Sequence, residues 1–189
     1  MLETSDAWLE KIFRVNVMSH FTLIRELLPG MLAQRKGHIF TVASIASYAA
    51  TASLVDYCST KAAALSLHQG MFTFHVQCVP VADMIFEGLT QELRHRYPNG
   101  HCIRTSSIHP FWARTGLVKS WESTLEANGA PLLDPQEVAD AVVNQVFSAK
   151  SGQLFLPKRI SIITGVNGWP IWMQELLRGI SAKNTIRAA

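Results

Sequence analysis

The sequence alternates helix-forming and strand-forming segments, and this alternation constrains the fold more than any other feature. Short β-prone runs at 37–44, 102–109 and 152–157 predict buried strands, of which the second is the weakest. A helical period of about twenty residues precedes the first strand, and helices that begin at Asp56 and Asp134 separate the others. This order predicts an α/β fold with parallel strands.

Helix-start signals support these assignments. The cap residues Thr4 to Asp6 precede the first helix, and Gly30 and Gly37 bracket its end. Pro135 at the first helical position and Glu137 in a capping box follow Asp134. The first helix is expected to be buried through its apolar residues, which are Trp8, Ile12, Val15, Val17, Phe21, Ile24, Leu27 and Leu28.

Composition excludes several classes of protein. The chain has 189 residues, 48% of them hydrophobic, which suits one domain with a sizeable core and excludes a disordered tail. A net charge of +3 without a basic stripe excludes a nucleic-acid partner. Three scattered cysteines indicate a reducing compartment. No apolar run reaches the roughly 18 residues of a spanning helix, and the polar start is not a signal peptide, so we expect a cytoplasmic protein.

Tyr57 and Lys61 are four residues apart on a predicted helix, so both side chains lie on one face. An ammonium group near a phenol lowers the pKa of the phenol, which would make Tyr57 a general acid or base. A solvated surface pair is the alternative. The seven histidines show no metal-ligand spacing, so we interpret them as structural and expect no metal site.

Other polar residues surround this pair in the predicted fold. Ser44 ends the first strand, where ligands bind in open α/β sheets, and Asn16 lies on the preceding helix. The segments FRVNVMSHF, GHIFTVASIAS, DYCSTKAAAL and IHPFWARTGL resemble the later motifs of the short-chain dehydrogenase/reductase family. They are most similar to its retinol- and 17β-hydroxysteroid-dehydrogenase-like members, as found in fungi. The resemblance covers most of residues 4–157 and implies a Rossmann-like parallel sheet with helices on both faces.

The resemblance also implies catalytic roles. Tyr57 would transfer the proton to or from the substrate oxygen, and Lys61 would lower its pKa and bind the nicotinamide ribose. Ser44 would hydrogen-bond the substrate oxygen, and Asn16 would anchor a water relay. The alternatives are a strand-end cap for Ser44 and a bond to backbone for Asn16.

The loop after the second strand is similar to the family's nicotinamide loop. By this resemblance Pro110 and Thr115 would touch the cofactor, although Thr115 is also a common turn residue. Phe111 departs from the glycine usual there.

The implied activity is an NAD- or NADP-dependent oxidation or reduction of an apolar alcohol or ketone, such as a retinoid, steroid or fatty alcohol. A non-catalytic fragment or interaction module is the alternative. In this family the helices that carry Asn16 and Tyr57 usually form the subunit interface, so a complete protein is expected to be a homo-oligomer.

The sequence contains no TGxxxGxG or GxGxxG phosphate-binding turn. It therefore resembles the later part of the family's domain, without its first strands. The strand at 38–44 is expected to be an unpaired edge, which favours aggregation. We expect the 189-residue chain to be poorly soluble and to bind neither NAD nor NADP measurably.

Residues 69–86 interrupt the helix that starts at Asp56 with an aromatic, β-branched stretch. Joining His68 to Glu87 would place Leu67, Leu89 and Leu93 on one apolar stripe. We interpret 69–86 as an aberrant insertion from a retained intron or gene-model error; a genuine surface insertion is the alternative.

We assign residues 1–157 to the partial dehydrogenase domain and residues 158–189 to a basic tail. The tail has five Lys and Arg against one Glu, a net of +4. Pro170 can open an amphipathic helix with Trp172, Leu176 and Ile180 on one face, which would suit peripheral contact with a lipid surface such as the ER or a lipid droplet. Closing the substrate pocket or packing on a partner subunit is the commoner role of such a helix.

Overall fold

A computed structural model describes residues 4–69, 88–176 and 179. A long helix opens the described chain and consists of α1 (Asp6–Phe13), a wider π-helical stretch (Arg14–Met18) and α2 (Ser19–Gln34). The remaining helices are α3 (Val55–Gln69), α4 (Gly88–Arg96), α5 (Glu122–Ala127) and α6 (Pro135–Ser148). The strands are β1 (Gly37–Val42), β2 (Ile103–Pro110), β3 (Trp112–Ala113), β4 (Leu132–Leu133) and β5 (Gly152–Leu156).

Three strands form a parallel sheet in the order β1-β2-β5, flanked by helices. This confirms the predicted α/β fold. The weakest predicted strand, β2, lies in the centre, where neighbours on both sides complete its backbone hydrogen bonds. It is almost wholly buried although it carries polar side chains, which are Thr105, Ser106, Ser107 and His109. These polar side chains interrupt the apolar run, so the sequence signal for this strand is weak although the strand is buried.

The edge of the sheet at β1 is open. Among the described strands, β1 pairs only with β2. Val42 near its end is half exposed. The predicted unpaired edge is therefore present in the described part of the chain.

A second, two-stranded parallel sheet was not predicted. Trp112 in β3 pairs with Leu132 in β4, and the Arg114 N–H donates to the Leu133 carbonyl at 3.0 Å. Strands of two residues are too short for a periodic signal. This pairing closes the loop between β2 and α6.

The first helix is longer and more exposed than predicted. Pro29 and Gly30 lie inside α2, which ends at Arg35 in the left-handed conformation, with the Lys36 N–H bonded to the Met31 carbonyl. The expectation of a buried apolar helix was wrong, because only Leu28 is buried and no described element covers the opposite face. The large apolar residues that are exposed on this helix are Trp8, Phe13, Val15, Met18, Phe21, Leu23 and Leu27.

The predicted start of α6 is confirmed at Asp134. Its side chain accepts a hydrogen bond from the Gln136 N–H at 2.8 Å, and Pro135 occupies the first turn. The backbone N–H of Glu137 donates to the Asp134 carbonyl. A side-chain cap of this kind stabilises a helix by about 1 kcal/mol.

The hydrophobic core joins α2, α4 and β2. Leu28, Leu89, Leu93 and Ile103 form a buried cluster, against which Ile39 of β1 packs. Burying one such side chain contributes about 1.5–3 kcal/mol. The burial of Leu89 and Leu93 agrees with an apolar stripe on α4. The interpretation of residues 69–86 as an insertion falls on residues that, apart from Gln69 at the end of α3, lie outside the described residues.

The described part of the tail forms a 3₁₀-helical stretch, Lys158–Gly168, and a helix at 171–176. Trp172 and Leu176 are exposed there. Ile180 and the residues after it lie outside the described residues. In the described parts of the chain, no helix combines the length and apolar character that crossing a membrane requires.

Candidate active site

Ser44 and Tyr57 meet at the carboxyl end of β1. Ser44 follows the strand in an extended conformation, and its hydroxyl accepts a hydrogen bond from the Ala46 N–H at 3.2 Å. The strand-end cap foreseen as an alternative is therefore present. The Ser44 side chain also acts on Tyr57, in the first turns of α3, as a hydrogen-bond partner that lowers the pKa of the phenol. One hydroxyl thus both caps the turn and contacts the phenol.

Lys61 lies one turn further along α3. Its Nζ donates a hydrogen bond to the Val42 carbonyl oxygen at 2.9 Å and lies 5.7 Å from the centre of the Tyr57 ring. Its backbone carbonyl accepts a bond from the Ser47 hydroxyl at 2.9 Å. The predicted pair is thus held against the end of β1 and is not a freely solvated surface pair.

The pKa of Tyr57 shifts in the opposite direction to the one expected. Burial raises the pKa of Tyr57, and the hydrogen bond with Ser44 lowers it by less. Burial also lowers the pKa of Lys61. The expected lowering of the Tyr57 pKa is not seen as a net effect, because desolvation dominates at the phenol.

Asn16 lies in the π-helical stretch and reaches α3. Its Nδ2 donates to the Thr60 Oγ1 at 3.0 Å, and that hydroxyl donates to the Tyr57 carbonyl at 2.7 Å. The alternative expectation was that the Asn16 side chain bonds to backbone; in the structure it bonds to the side chain of the buried Thr60. Asn16 therefore ties the first helix to the segment that carries Tyr57.

Two further groups near this pair, His20 and Trp8, were missed from the sequence. His20 follows Asn16 by one turn, and its pKa is lowered first by burial and then by the nearby Lys61 charge. Trp8 Nε1 donates to the Asp56 carboxylate at 2.6 Å and anchors the start of α3. For His20, the only signal in the sequence was its i, i+4 spacing from Asn16, which places both side chains on one face of the helix.

The loop after β2 carries the other predicted site residues. Pro110 is buried as the last residue of β2 and pairs in register with Leu156. The Phe111 N–H donates to the Leu156 carbonyl at 2.9 Å. Thr115 is exposed, and its carbonyl accepts from the Val118 N–H at 3.1 Å, so it lies in a turn as its alternative interpretation has it. The structure brings Pro110 to the carboxyl edge of the sheet and leaves Thr115 on an outer turn.

An exposed ion-pair cluster fixes the same loop. Arg114 contacts Glu122 at 2.5 Å and Glu126 at 2.8 Å on α5. Trp112 and Trp121 meet edge to face with ring centres 6.2 Å apart. These contacts hold α5 beside the loop.

The donors at this edge suit one end of a nicotinamide cofactor. A phenol and an ammonium group on one helix face can bind a ribose, whereas the 189 residues hold no glycine-rich turn for a pyrophosphate. Within residues 4–69, 88–176 and 179, no cluster of His, Cys, Asp and Glu has the makings of a metal site.

Comparison with known proteins gives the same class. The family model described as short chain dehydrogenase matches residues 1–77. The chain is 33% identical over 162 residues to 17-beta-hydroxysteroid dehydrogenase 13 of Mus musculus, covering 86% of this chain and 45% of that protein. It is 32% identical over 164 residues to Estradiol 17-beta-dehydrogenase 11 of Mus musculus, covering 87% and 47%.

Among solved structures, a 4-hydroxyisoleucine dehydrogenase in complex with NADH superposes with a TM-score of 0.58 at 19% identity. The match covers 82% of this chain and 60% of that one, and it shows the shared Rossmann-like fold.

The fold and these similarities place the chain with Rossmann-like α/β domains of the dehydrogenase type. The chain is similar to the short-chain dehydrogenase family over residues 1–77 and to hydroxysteroid dehydrogenases over most of its length. It spans about half the length of the curated relatives that it matches.

Proposed function

We propose that this chain carries the proton-transfer centre of an NAD- or NADP-dependent oxidoreductase that acts on an alcohol or ketone. The observation that carries the proposal is the geometry of three residues. Lys61 Nζ lies 5.7 Å from the centre of the Tyr57 ring and is bound to the carbonyl of Val42, two residues before Ser44, whose side chain acts on the Tyr57 phenol as a hydrogen-bond partner. A phenol, a hydroxyl and a cation at a strand end are the groups that polarise a carbonyl oxygen and supply its proton.

In this mechanism the Tyr57 hydroxyl donates its proton to the substrate oxygen during reduction and takes it back during oxidation. The raised pKa of Tyr57 keeps the phenol neutral at neutral pH, which is the form that donates a proton to a carbonyl. Ser44 hydrogen-bonds the same oxygen. Lys61 stabilises the phenolate that remains after transfer.

A bound nicotinamide would exchange hydride with the carbinol carbon. On this chain Tyr57 and Lys61 would contact its ribose, and Pro110 and Thr115 would lie toward its nicotinamide end. The residues for its pyrophosphate are not among the 189. The similarity to short chain dehydrogenases and the NADH in the structurally similar 4-hydroxyisoleucine dehydrogenase support this cofactor class.

The substrate that we propose is apolar, such as a steroid, retinoid or fatty alcohol. The names of the two mouse relatives, which are hydroxysteroid and estradiol dehydrogenases, support a steroid-like alcohol. The aromatic rings of Phe111 and Trp112 beside Pro110 add apolar surface near the site.

The test uses a fusion, because the chain spans about half of its relatives. The chain replaces the matching segment of mouse 17-beta-hydroxysteroid dehydrogenase 13, and estradiol oxidation is followed with NAD and NADP. We expect turnover that Tyr57→Phe lowers by about 10²–10⁴-fold. The matched control Tyr97→Phe, at a partly exposed position after α4, keeps full activity.

A folded fusion that binds the cofactor but turns over equally well with Tyr57→Phe would refute the proposal. A folded, cofactor-binding fusion without turnover would favour the non-catalytic interaction module. For the 189-residue chain alone we expect calorimetry to detect no saturable NAD or NADP binding.

The tail supports a second, separate proposal of contact with an anionic lipid surface. Lys158 and Arg159 are exposed. Apolar side chains are also exposed along the same segment, namely Ile162, Ile171, Trp172 and Leu176. Cations beside exposed apolar side chains suit peripheral binding, as at the ER or a lipid droplet. The full chain should float with phosphatidylserine vesicles, and a variant without residues 158–189 should not. Unchanged flotation of this variant would refute the contact.

A further inference from the structure

A buried histidine lies directly behind the turn that carries Ser44. His109 is 0% exposed and occupies the end of β2, one residue before Pro110. Its Nδ1 lies 3.4 Å from the Ser44 carbonyl oxygen, and its Nε2 lies 3.0 Å from the Ser107 hydroxyl. Both ring nitrogens are therefore engaged, one of them by the backbone of the candidate active site.

These partners determine the tautomer of the ring. A carbonyl oxygen only accepts hydrogen bonds, so Nδ1 must carry the proton if it is to bond to Ser44. The Ser107 hydroxyl then donates to Nε2. Burial lowers the pKa of His109 to about 4, so the ring is neutral at physiological pH, as this arrangement requires. Ser107 thus orients His109 for donation to Ser44.

Aromatic packing holds the ring in this orientation. His109 stacks on Phe155 of β5 with ring centres 4.8 Å apart, and it meets Tyr48 edge to face at 5.2 Å. Tyr48 ends the 3₁₀ turn Ile45–Ser47, and its hydroxyl donates to Gln153 Oε1 at 3.1 Å. The turn after Ser44 is thereby attached to β2 at its start and to β5 at its end.

We propose that His109 is a positioning residue for Ser44, whose carbonyl it holds through Nδ1–H so that the Ser44 hydroxyl stays on Tyr57. The role of this hydroxyl in proton transfer rests on the proposed function, whereas the coupling of His109 to Tyr57 does not. The coupling can therefore be measured without turnover or cofactor.

The experiment places 3,5-difluorotyrosine at position 57 of the full chain and follows its ionisation by ¹⁹F NMR. The Ser44 hydrogen bond lowers the pKa of Tyr57, so Ser44→Ala should raise the midpoint by about half to one pH unit. His109→Leu should raise it by a similar amount, and the double variant should add nothing more. His109→Asn, which keeps a donor near the place of Nδ1, should restore most of the effect.

A matched control separates positioning from packing. Phe155→Leu removes the stacked ring but leaves both hydrogen bonds of His109, so it should lower the melting temperature without moving the titration midpoint. If Ser44→Ala moves the midpoint and folded His109→Leu does not, the positioning role is wrong and the proposed function stands. If Ser44→Ala has no effect, the Ser44–Tyr57 pair itself is refuted, and both proposals fall.

The wild-type chain provides a measurement that no folding defect can obscure. Long-range ¹H–¹⁵N correlation NMR distinguishes the two neutral histidine tautomers. We expect His109 to be protonated at Nδ1 at neutral pH, and protonation at Nε2 would overturn the proposal.

Discussion

The Lys61 ammonium group donates a hydrogen bond to the Val42 carbonyl oxygen at 2.9 Å, which joins α3 to the carboxyl end of β1. The ammonium group is thereby held 5.7 Å from the centre of the Tyr57 ring, and it donates a hydrogen bond to a backbone carbonyl. Burial of both side chains then sets their pKa values, raising that of Tyr57 and lowering that of Lys61. Both shifts favour the neutral forms, as desolvation does for any buried acid or base.

The bond between Asn16 and Thr60 should couple the first helix to α3. Asn16→Leu and Thr60→Val should each destabilise the chain by about 0.5–1.5 kcal/mol, because each removes one partner of a 3.0 Å hydrogen bond. Urea unfolding of both single variants and the double variant measures the coupling. Strictly additive free energies of unfolding would show that the bond contributes nothing.

Two adjacent leucines on α2 test where the core lies. Leu28 is 7% exposed within the core cluster, whereas Leu27 is 54% exposed. Leu28→Ala should lower the free energy of unfolding by about 2–5 kcal/mol. Leu27→Ala should change it by about 0.5 kcal/mol or less. Equal losses in thermal or urea unfolding would contradict the placement of this helix.

Protonation of His109 should lower the free energy of unfolding at acid pH. Its folded pKa, about 4, lies below its ordinary value of 6.5, so the unfolded chain binds the proton more tightly. The stabilisation is complete above pH 6.5 and is lost as the pH falls toward 4. The loss amounts to about 3 kcal/mol.

The comparison with His109→Asn isolates this contribution. His20 and His38 also have lowered pKa values, and the His68 charge acts on His109, so the wild-type curve alone is not specific. The free energy of unfolding of His109→Asn should therefore fall less than that of the wild type between pH 6.5 and 4. Parallel curves would contradict the assignment.

The open β1 edge should promote self-association. Val42 on this edge and Val143 on α6 are both 49% exposed, which makes them a matched pair. Val42→Glu should reduce concentration-dependent association in light scattering, because a charge on an edge strand disfavours further strand pairing. Val143→Glu should have a smaller effect, and equal effects would show that the edge is not the contact.

Local patterns in the sequence determined much of the fold and of the candidate site. Apolar runs, the Asp134–Pro135 helix start and the i, i+4 spacing of Tyr57 and Lys61 act within a few residues, so they could be recognised without tertiary information. These local patterns were sufficient to predict the order of helices and strands, the parallel sheet and the candidate site at the end of β1.

Tertiary structure decided what depends on distant neighbours. The central position of β2, the raised pKa of Tyr57 and the contact of His109 with Ser44 arise from residues that are far apart in sequence. Burial and desolvation depend on the residues packed around a group, so the hydrophobic periodicity of the sequence does not predict them. The sequence by itself therefore determined which groups lie on α3, and the tertiary structure decided the direction of their pKa shifts and the contacts that hold them.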